Sequence, residues 1–157
     1  MVQLWVGNSL LCAMLELIAI HMKAGTCCWM EHPQPCHWRL QAVSSFNCHP
    51  LRAVMSSPAA TCTDFDQCEH GQTSRAPTRI VALRMDGLHT SLVSTPGRGR
   101  CSHGNGGHET LLGYDAQNRE WRTAKKKTYP PGLCKCLADA TVRAVGHMWQ
   151  DGGIGSD

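Results

Sequence analysis

Five cysteine and histidine residues between positions 101 and 136 have the chemistry of metal ligands. They form two groups, which are Cys101, His103 and His108, followed by Cys134 and Cys136. Thiolate sulfur and imidazole nitrogen are the ligands of structural zinc sites, where they surround the ion tetrahedrally. The sequence does not demand a cofactor; if a metal is bound, zinc is the candidate and these five residues are its candidate ligands. A bound ion would hold together a unit with little core of its own.

The spacing of the last two cysteines supports a second interpretation. Cys134 and Cys136 lie two positions apart in a predicted helix, so their side chains point about 200° from each other around the axis. Binding one ion would require a distorted first turn. Cys134 could instead pack into a core as a small apolar residue. The sequence leaves both interpretations open.

Cysteines in the first third lack the spacing of zinc ligands. Cys27, Cys28, Cys36 and Cys48 are irregularly placed among prolines, without a Cys-x-x-Cys pair, and are predicted to be free thiols. An intracellular location is favoured, because no basic residue precedes the apolar run Leu10–Ile20 and Glu16 interrupts it. That run is also too short to span a bilayer, so no membrane partner is expected.

A basic and aromatic segment follows the first ligand group. Its cationic residues could neutralise phosphates and its rings could stack on bases, so nucleic acid is a candidate partner. The favoured interpretation is a solvated charge run beside two core aromatics. The candidate residues are Arg119, Trp121, Arg122, Lys125, Lys126, Lys127 and Tyr129.

Catalytic motifs that the chain could be expected to carry are incomplete. The glycine-rich stretch 94–107 lacks the Gly-Lys-Ser/Thr and the flanking strand and helix of a phosphate-binding loop. Asp86-Gly87 lacks the central residue of an aspartic-protease loop and is typical of a tight turn. No enzymatic activity is therefore expected.

The elements that must position these residues are predicted to form a small, partly disordered α+β protein. It combines short β-hairpins and a C-terminal helix with a separate N-terminal helix. One hairpin, at 80–93, should turn at Asp86-Gly87, and a second should pair 111–114 with 120–123. The C-terminal helix should start at the two prolines at 130–131, since proline presets the φ of the first helical position, and stop at Gly146.

Composition divides the chain into four predicted segments. The apolar N-terminal helical segment covers 1–24, and within it the helix itself is predicted at 9–23, with Ser9 as its cap and Gly25 as its end. A largely irregular linker rich in Cys, His and Pro follows at 25–78, then an α+β unit at 79–148 and a disordered tail at 149–157. The chain of 157 residues has 10 cysteines and 9 histidines but only 2 phenylalanines, a composition poor in residues that fill cores. Its net charge of +3 does not by itself demand a nucleic-acid partner.

Part of the chain resembles a known type of sequence. The segments concerned are His108-Glu-Thr-Leu-Leu-Gly113, Trp121-Arg-Thr-Ala124, Tyr129-Pro-Pro-Gly-Leu-Cys134 and Leu137-Ala138. With the upstream Cys/His stretch, they resemble a recurring C-terminal segment of retrotransposon-type polyproteins from dinoflagellate algae, over about residues 101–145. No enzyme motif lies in that segment. The resemblance implies that the chain is a retroelement-derived fragment without enzymatic activity; the alternative is a small basic nucleic-acid-binding or zinc-stapled module.

Overall fold

The computed structural model describes residues 2–35, 44–104, 107–109, 113–123 and 128–150. Its elements in chain order are helix α1 (Val2–Ala24), strand β1 (Cys28–Pro33), helix α2 (His49–Met55), strands β2 (Ala60–Asp66) and β3 (Pro77–Leu83), helix α3 (Leu88–Val93), strands β4 (Tyr114–Asp115) and β5 (Glu120–Trp121), and helix α4 (Pro131–Gln150). Short 3₁₀ turns at Ser45–Asn47 and Gln67–His70 precede α2 and follow β2. The prediction of a small α+β protein is confirmed.

The central sheet is antiparallel with the strand order β1-β3-β2. Alternate residues of a strand face opposite sides of a sheet. Ile80 and Ala82 of β3 therefore join one core, whereas Val81 and Leu83 join another. Because both faces of β3 are covered, its middle is a continuous apolar run instead of an apolar and polar alternation.

Helices cover the two faces of this sheet. On one face, α3 and α4 contribute Leu88, Leu92, Leu133, Leu137, Ala140 and Ala144 to a core that includes Phe65 of β2. The spacing of the buried residues of α4, three or four positions apart, gives that helix one apolar stripe. On the other face, α1 and α2 contribute Ile18, Leu51 and Val54. The result is a three-layer arrangement with the sheet in the middle.

Helix α1 is longer than the sequence suggested. It begins by Val2, so Ser9 is not its cap, but it ends as predicted at Gly25, which has a φ of 68°. Ile18 is buried against the sheet, while Trp5, Leu10, Leu17 and Ile20 are exposed. By length and composition alone, the 20 residues Trp5–Ala24 are sufficient to cross a membrane. The expectation that this segment is too short considered only Leu10–Ile20, whereas the helix is longer; the absence of a membrane partner stays a prediction.

The description of 25–78 as largely irregular is wrong for the described residues. This segment supplies β1, α2 and β2, and the proposed boundary at 78/79 falls inside β3. The reason is that β1 and β2 are stabilised by pairing with the strongly apolar β3, which lies far along the chain from β1. A composition rich in Ser, Thr and Pro does not reveal such non-local pairing.

The hairpin predicted at 80–93 is also wrong. Gly87 has the positive φ expected of a turn, 81°, but the residues after it form α3 instead of a strand. Leu88 and Leu92 lie one helical turn apart, and both are buried against the core. The partners of β3 are β1 and β2.

The hairpin and the helix predicted for the C-terminal part of the chain are both present in the structure. Strands β4 and β5 pair antiparallel around a turn in which Asp115 accepts hydrogen bonds from the backbone N–H groups of Gln117 and Asn118. Residues 111 and 112 lie outside the described part of the chain. Helix α4 begins at Pro131 as predicted but continues through Gly146 to Gln150, so the predicted stop is wrong. The tail beyond 150 lies outside the described residues.

Candidate metal centre

Cys68 lies in the 3₁₀ turn Gln67–His70, directly after β2. Gly71 ends this turn with a left-handed φ of 99°, which other residues adopt with strain. Cys68 is buried, with 4% of its surface exposed. The neighbouring His70 points elsewhere, because its Nε2 lies 3.1 Å from the carbonyl oxygen of Leu92 and its ring packs edge-on against Phe65. Cys68 is therefore the residue of this turn whose side chain offers a soft ligand, its thiol, toward the loop after α3.

Asp66 holds Cys101 next to this turn. The Asp66 carboxylate is fully buried and accepts a hydrogen bond from the backbone N–H of Cys101 at 2.9 Å. The backbone N–H of Asp66 in turn donates to the carbonyl of Gly99 at 2.7 Å. Arg75 balances the charge of Asp66 through two contacts of 3.3 Å. The end of β2 therefore fixes the backbone on which Cys101 is carried.

Glu69 anchors the same loop at two further points. One of its carboxylate oxygens accepts hydrogen bonds from the backbone and hydroxyl of Ser102, and the other accepts one from the backbone N–H of Gly97. Burial raises the pKa of Glu69, but these hydrogen bonds outweigh burial and lower the pKa to about 2. Glu69 is thus a buried anion that orders the residues on both sides of Cys101.

Four potential ligands converge where the loop meets the turn. One ligand atom from each of Cys68, Cys101, His103 and His108 lies within 4.8 Å of all the others. Cys101 Sγ is 3.8 Å from His103 Nδ1 and 3.5 Å from His108 Nε2. The two imidazole rings meet edge to face, with centroids 5.2 Å apart.

These separations suit tetrahedral zinc. Zinc to sulfur and zinc to nitrogen bonds of their usual lengths place sulfur and nitrogen ligands about 3.6 Å apart in a tetrahedron. The two measured sulfur to nitrogen distances, 3.5 and 3.8 Å, bracket that value. The residues therefore fit a Cys₂His₂ zinc ion after small side-chain adjustments. Glu69 Oε1, 3.7 Å from His103 Nδ1, would add a negative charge beside the cation.

The cysteines must lose protons to bind a metal. Burial, followed by the hydrogen bond with the Cys101 side chain, raises the pKa of Cys68 to about 12. Cys68 is consequently a neutral thiol at physiological pH in the absence of an ion. Zinc binding would release that proton, so the affinity should increase with pH.

The structure brings together three of the five ligands predicted from the sequence, and these are Cys101, His103 and His108. Cys134 and Cys136 do not belong to the cluster. Cys134 is exposed, while Cys136 faces His70 and the carbonyl of Ser91 at 4.0 and 3.7 Å. Their placement on different sides of α4 follows from the helical rotation between them, and the structure does not bring them to the other predicted ligands. The fourth member, Cys68, was missed because its segment was interpreted as a linker.

Residues of the predicted nucleic-acid site occupy different environments. Trp121 is 65% exposed and contacts Tyr114 across the β4–β5 hairpin, with ring centroids 5.5 Å apart. Arg119 and Arg122 are exposed on the same hairpin. Tyr129 is half-buried, packs on the core and donates its hydroxyl hydrogen bond to Glu31 at 2.7 Å. Lys125, Lys126 and Lys127 lie outside the described residues.

Cysteines elsewhere in the described part of the chain are free thiols. They include Cys27, Cys28 and Cys48, as predicted, whereas Cys36 lies outside the described residues. Comparison of the chain with known protein families, with curated proteins and with solved structures finds no match.

Proposed function

We propose that this protein is a zinc-stapled α+β module in which Cys68, Cys101, His103 and His108 bind one zinc ion. The observation that carries the proposal is the convergence of these four side chains, with all ligand atoms within 4.8 Å of one another. Cys68 comes from the turn after β2, whereas the other three come from the segment after α3. One ion would therefore tie two distant parts of the chain together.

A structural role suits this ligand set better than a catalytic one. Catalytic zinc sites keep one position for water or substrate, whereas structural sites fill all four positions with protein ligands. The four residues here would complete the shell. Two thiolates and two imidazoles also favour zinc over magnesium or calcium, which prefer oxygen ligands. The proposed module accordingly has no enzymatic activity.

The position of the site in the fold indicates which part of the chain the ion would hold in place. Asp66 and Glu69 hold the loop as far as Ser102, but His103 and His108 lie beyond these hydrogen bonds. Both histidines are on the path from the loop to the β4–β5 hairpin. Zinc would anchor that path at His108, and the hydrogen bond between Tyr129 and Glu31 anchors the chain again after the hairpin. The hairpin would then project between two fixed points.

Titration of the purified full chain with zinc and cobalt(II) tests this proposal. We expect one zinc ion per chain, a higher melting temperature with zinc, and the visible absorption of tetrahedral, thiolate-bound cobalt(II). At a free zinc concentration of a hundred times Kd, the gain in unfolding free energy should be about 2.7 kcal/mol.

Two cysteine variants complete the zinc test. Cys68→Ser should lose the cobalt spectrum and the zinc-dependent stabilisation, whereas Cys134→Ser, at an exposed thiol, should retain both. Equal loss in the two variants, or zinc binding that survives Cys68→Ser unchanged, would contradict the assignment of ligands.

A second candidate function, binding of single-stranded nucleic acid, is supported by the exposed rings of the hairpin. Tyr114 and Trp121 are 52% and 65% exposed, so both rings are open to solvent and available to stack on bases. Arg119 and Arg122 flank them, and the sequence adds three lysines shortly afterwards. This combination of cations and open rings suits bases and phosphates. A retroelement origin stays a hypothesis that rests on the resemblance of residues 101–145 alone.

A further inference from the structure

The two cysteines of the proposed metal centre differ in their access to solvent. Cys68 is buried with 4% of its surface exposed, whereas Cys101 is partly exposed in the loop after α3. Their sulfurs belong to the group of ligand atoms that lie within 4.8 Å of one another. An exposed thiol beside a buried one is the arrangement in which the first sulfur meets an oxidant and the second then reacts with it.

We propose that Cys68 and Cys101 form a disulfide when the protein meets a peroxide, and that this modification releases the zinc ion. The release of zinc rests on the proposed function, while the formation of the disulfide does not. A disulfide removes two of the four ligands, because neither sulfur then carries the negative charge that binds the metal. His103 and His108 alone would hold zinc weakly.

The reaction is balanced with hydrogen peroxide as the oxidant. The Cys101 sulfur attacks one peroxide oxygen, so that an S–O bond forms, the O–O bond breaks and the other oxygen leaves as water after taking a proton. The Cys68 sulfur then attacks the Cys101 sulfur, the S–S bond forms, the S–O bond breaks and a second water leaves. In sum, two thiols lose two hydrogens and two electrons, and one peroxide becomes two waters.

The scaffold around the pair favours closure of the disulfide. The hydrogen bonds from Cys101 and Ser102 to Asp66 and Glu69 involve no sulfur, so they persist after the metal has left. They keep the loop beside Cys68. Bringing the sulfurs to the bond length of about 2.0 Å requires rotation of the Cys101 side chain, which is partly exposed and so has room to turn while its backbone stays held.

Other cysteines on the described surface provide a contrast. Cys134 is exposed on α4, and the next cysteine of that helix, Cys136, faces His70 and Ser91 instead. Peroxide can oxidise the sulfur of Cys134, but among the described residues no thiol is oriented to resolve the product as an intramolecular disulfide. Cys134 therefore serves as the matched control.

Treatment of the zinc-loaded full chain with hydrogen peroxide, followed by alkylation and peptide mass spectrometry, tests the inference. We expect a cross-linked peptide pair containing Cys68 and Cys101, with one zinc ion released to a chromophoric chelator per cross-link, and recovery of both thiols with dithiothreitol. Cys68→Ser should give no cross-link and should leave a sulfenic acid on Cys101 that dimedone traps. Cys134→Ser should behave as the unmodified chain does.

The outcomes separate this inference from the proposed function. A chain that binds no zinc but still forms the Cys68–Cys101 cross-link would overturn the zinc proposal and retain the oxidisable pair. A chain that binds zinc but cross-links neither cysteine, or cross-links them to other positions, would overturn the present inference. The metal-free chain, treated in parallel, must form the same cross-link.

Discussion

Ser102 donates two hydrogen bonds to a single oxygen of Glu69, from its backbone N–H at 2.8 Å and from its hydroxyl at 2.7 Å. The other oxygen of Glu69 accepts the backbone N–H of Gly97 at 2.8 Å. The Glu69 side chain is only 1% exposed. One buried carboxylate therefore fixes the loop on both sides of Cys101, and these hydrogen-bond donors stabilise its charge.

Glu69→Gln should consequently destabilise the protein at neutral pH. The amide retains one acceptor oxygen but turns an NH₂ group toward donors, so that at least one buried hydrogen bond is lost, at a cost of about 1–3 kcal/mol. Urea unfolding measured at pH 7 by circular dichroism checks this. Asp139→Asn is the control, because Asp139 forms a solvent-exposed ion pair with Lys135 and its loss should leave the unfolding midpoint nearly unchanged.

The same variant predicts a dependence of stability on pH. The pKa of Glu69 is lowered from 4.5 to about 2, so its carboxylate contributes fully to stability above pH 4.5, and this contribution is lost as the pH falls toward 2. The difference in unfolding free energy between the wild type and Glu69→Gln should therefore shrink over that interval. A difference that stayed constant from pH 6 to about 2 would show that the charge of Glu69 has no role.

Two glycines of α4 should respond oppositely to alanine. A Cβ on Gly132 would lie 2.6 Å from the carbonyl oxygen of His70, a backbone atom that cannot rotate away, whereas a Cβ on Gly146 would meet nothing within 4 Å. Gly132→Ala should push α4 from the turn that carries Cys68 and destabilise the protein by about 1–3 kcal/mol. Gly146→Ala should stabilise it by up to about 1 kcal/mol through helix propensity.

Melting temperatures of the two variants, measured without metal, check this pair. Because both changes add the same methyl group to the same helix, propensity alone predicts equal gains. Gains of equal size would therefore contradict the close approach of α4 to His70. The zinc affinity of Gly132→Ala should also fall, since the displaced turn contains Cys68.

Local signals account for the elements that the sequence predicted. The hairpin of β4 and β5 was recognisable because Asp115 and its neighbours are turn residues, and α4 because two prolines precede a run with leucines four positions apart. Strand β2 gave no such signal, since Thr61, Cys62 and Thr63 make a weak pattern that only pairing with β3 stabilises. At Gly87 only part of the prediction was correct. Its positive φ follows from the local sequence and was predicted, but the residues after it form a helix because Leu88 is buried in the core.

The difference between local and non-local signals also explains which residues of the metal centre could be predicted from the sequence. Cys101, His103 and His108 lie close together in the sequence, so their clustering was visible without a structure. Cys68 reaches them because β2 and β3 pair and return the chain past the turn that follows β2. Its neighbour Glu69 carried no signal either, because an isolated glutamate in a polar segment is usually solvated.

Tyr129→Phe should weaken the anchor between β1 and the start of α4. The hydroxyl of Tyr129 donates a hydrogen bond to Glu31 at 2.7 Å, while the ring packs against the core and would be unchanged by the substitution. Loss of this partly buried hydrogen bond should cost about 1 kcal/mol at neutral pH. Urea unfolding checks the value, and an unchanged midpoint would contradict the contribution of this bond.

Alkaline pH should remove the difference between Tyr129→Phe and the wild type. Burial, followed by the hydrogen bond to Glu31, raises the pKa of Tyr129 above its ordinary value of 10.0. Because the folded pKa exceeds the unfolded one, the contribution to stability is complete below pH 10.0 and declines as the pH rises above it. Cysteines that titrate in the same range are present in both proteins, so their effects cancel in the comparison.

The last prediction concerns the exposed hairpin. Trp121→Ala should change the free energy of unfolding by less than about 0.5 kcal/mol, because the ring is 65% exposed. The melting temperature should therefore stay nearly unchanged. If the ring stacks on a base, the same change should lower the affinity for a single-stranded oligonucleotide by about 1–3 kcal/mol. Trp149→Ala is the matched control, since Trp149 is 70% exposed on α4, away from the hairpin in sequence, and should bind as the wild type does.

The salt dependence of oligonucleotide binding distinguishes the contribution of the aromatic rings from the contribution of the basic side chains. If Lys125, Lys126 and Lys127 each neutralise one phosphate, the slope of log affinity against log salt concentration should be near −2, from about −0.7 per contact on a single strand. Replacing all three lysines with glutamine should flatten the slope without altering sequence preference, because phosphate contacts position the strand and do not read bases. Trp121→Ala should lower affinity at every salt concentration with the slope preserved. Equal losses for Trp121→Ala and Trp149→Ala, or affinity independent of salt, would exclude the hairpin as a nucleic-acid site and leave zinc binding as the function that the fold supports.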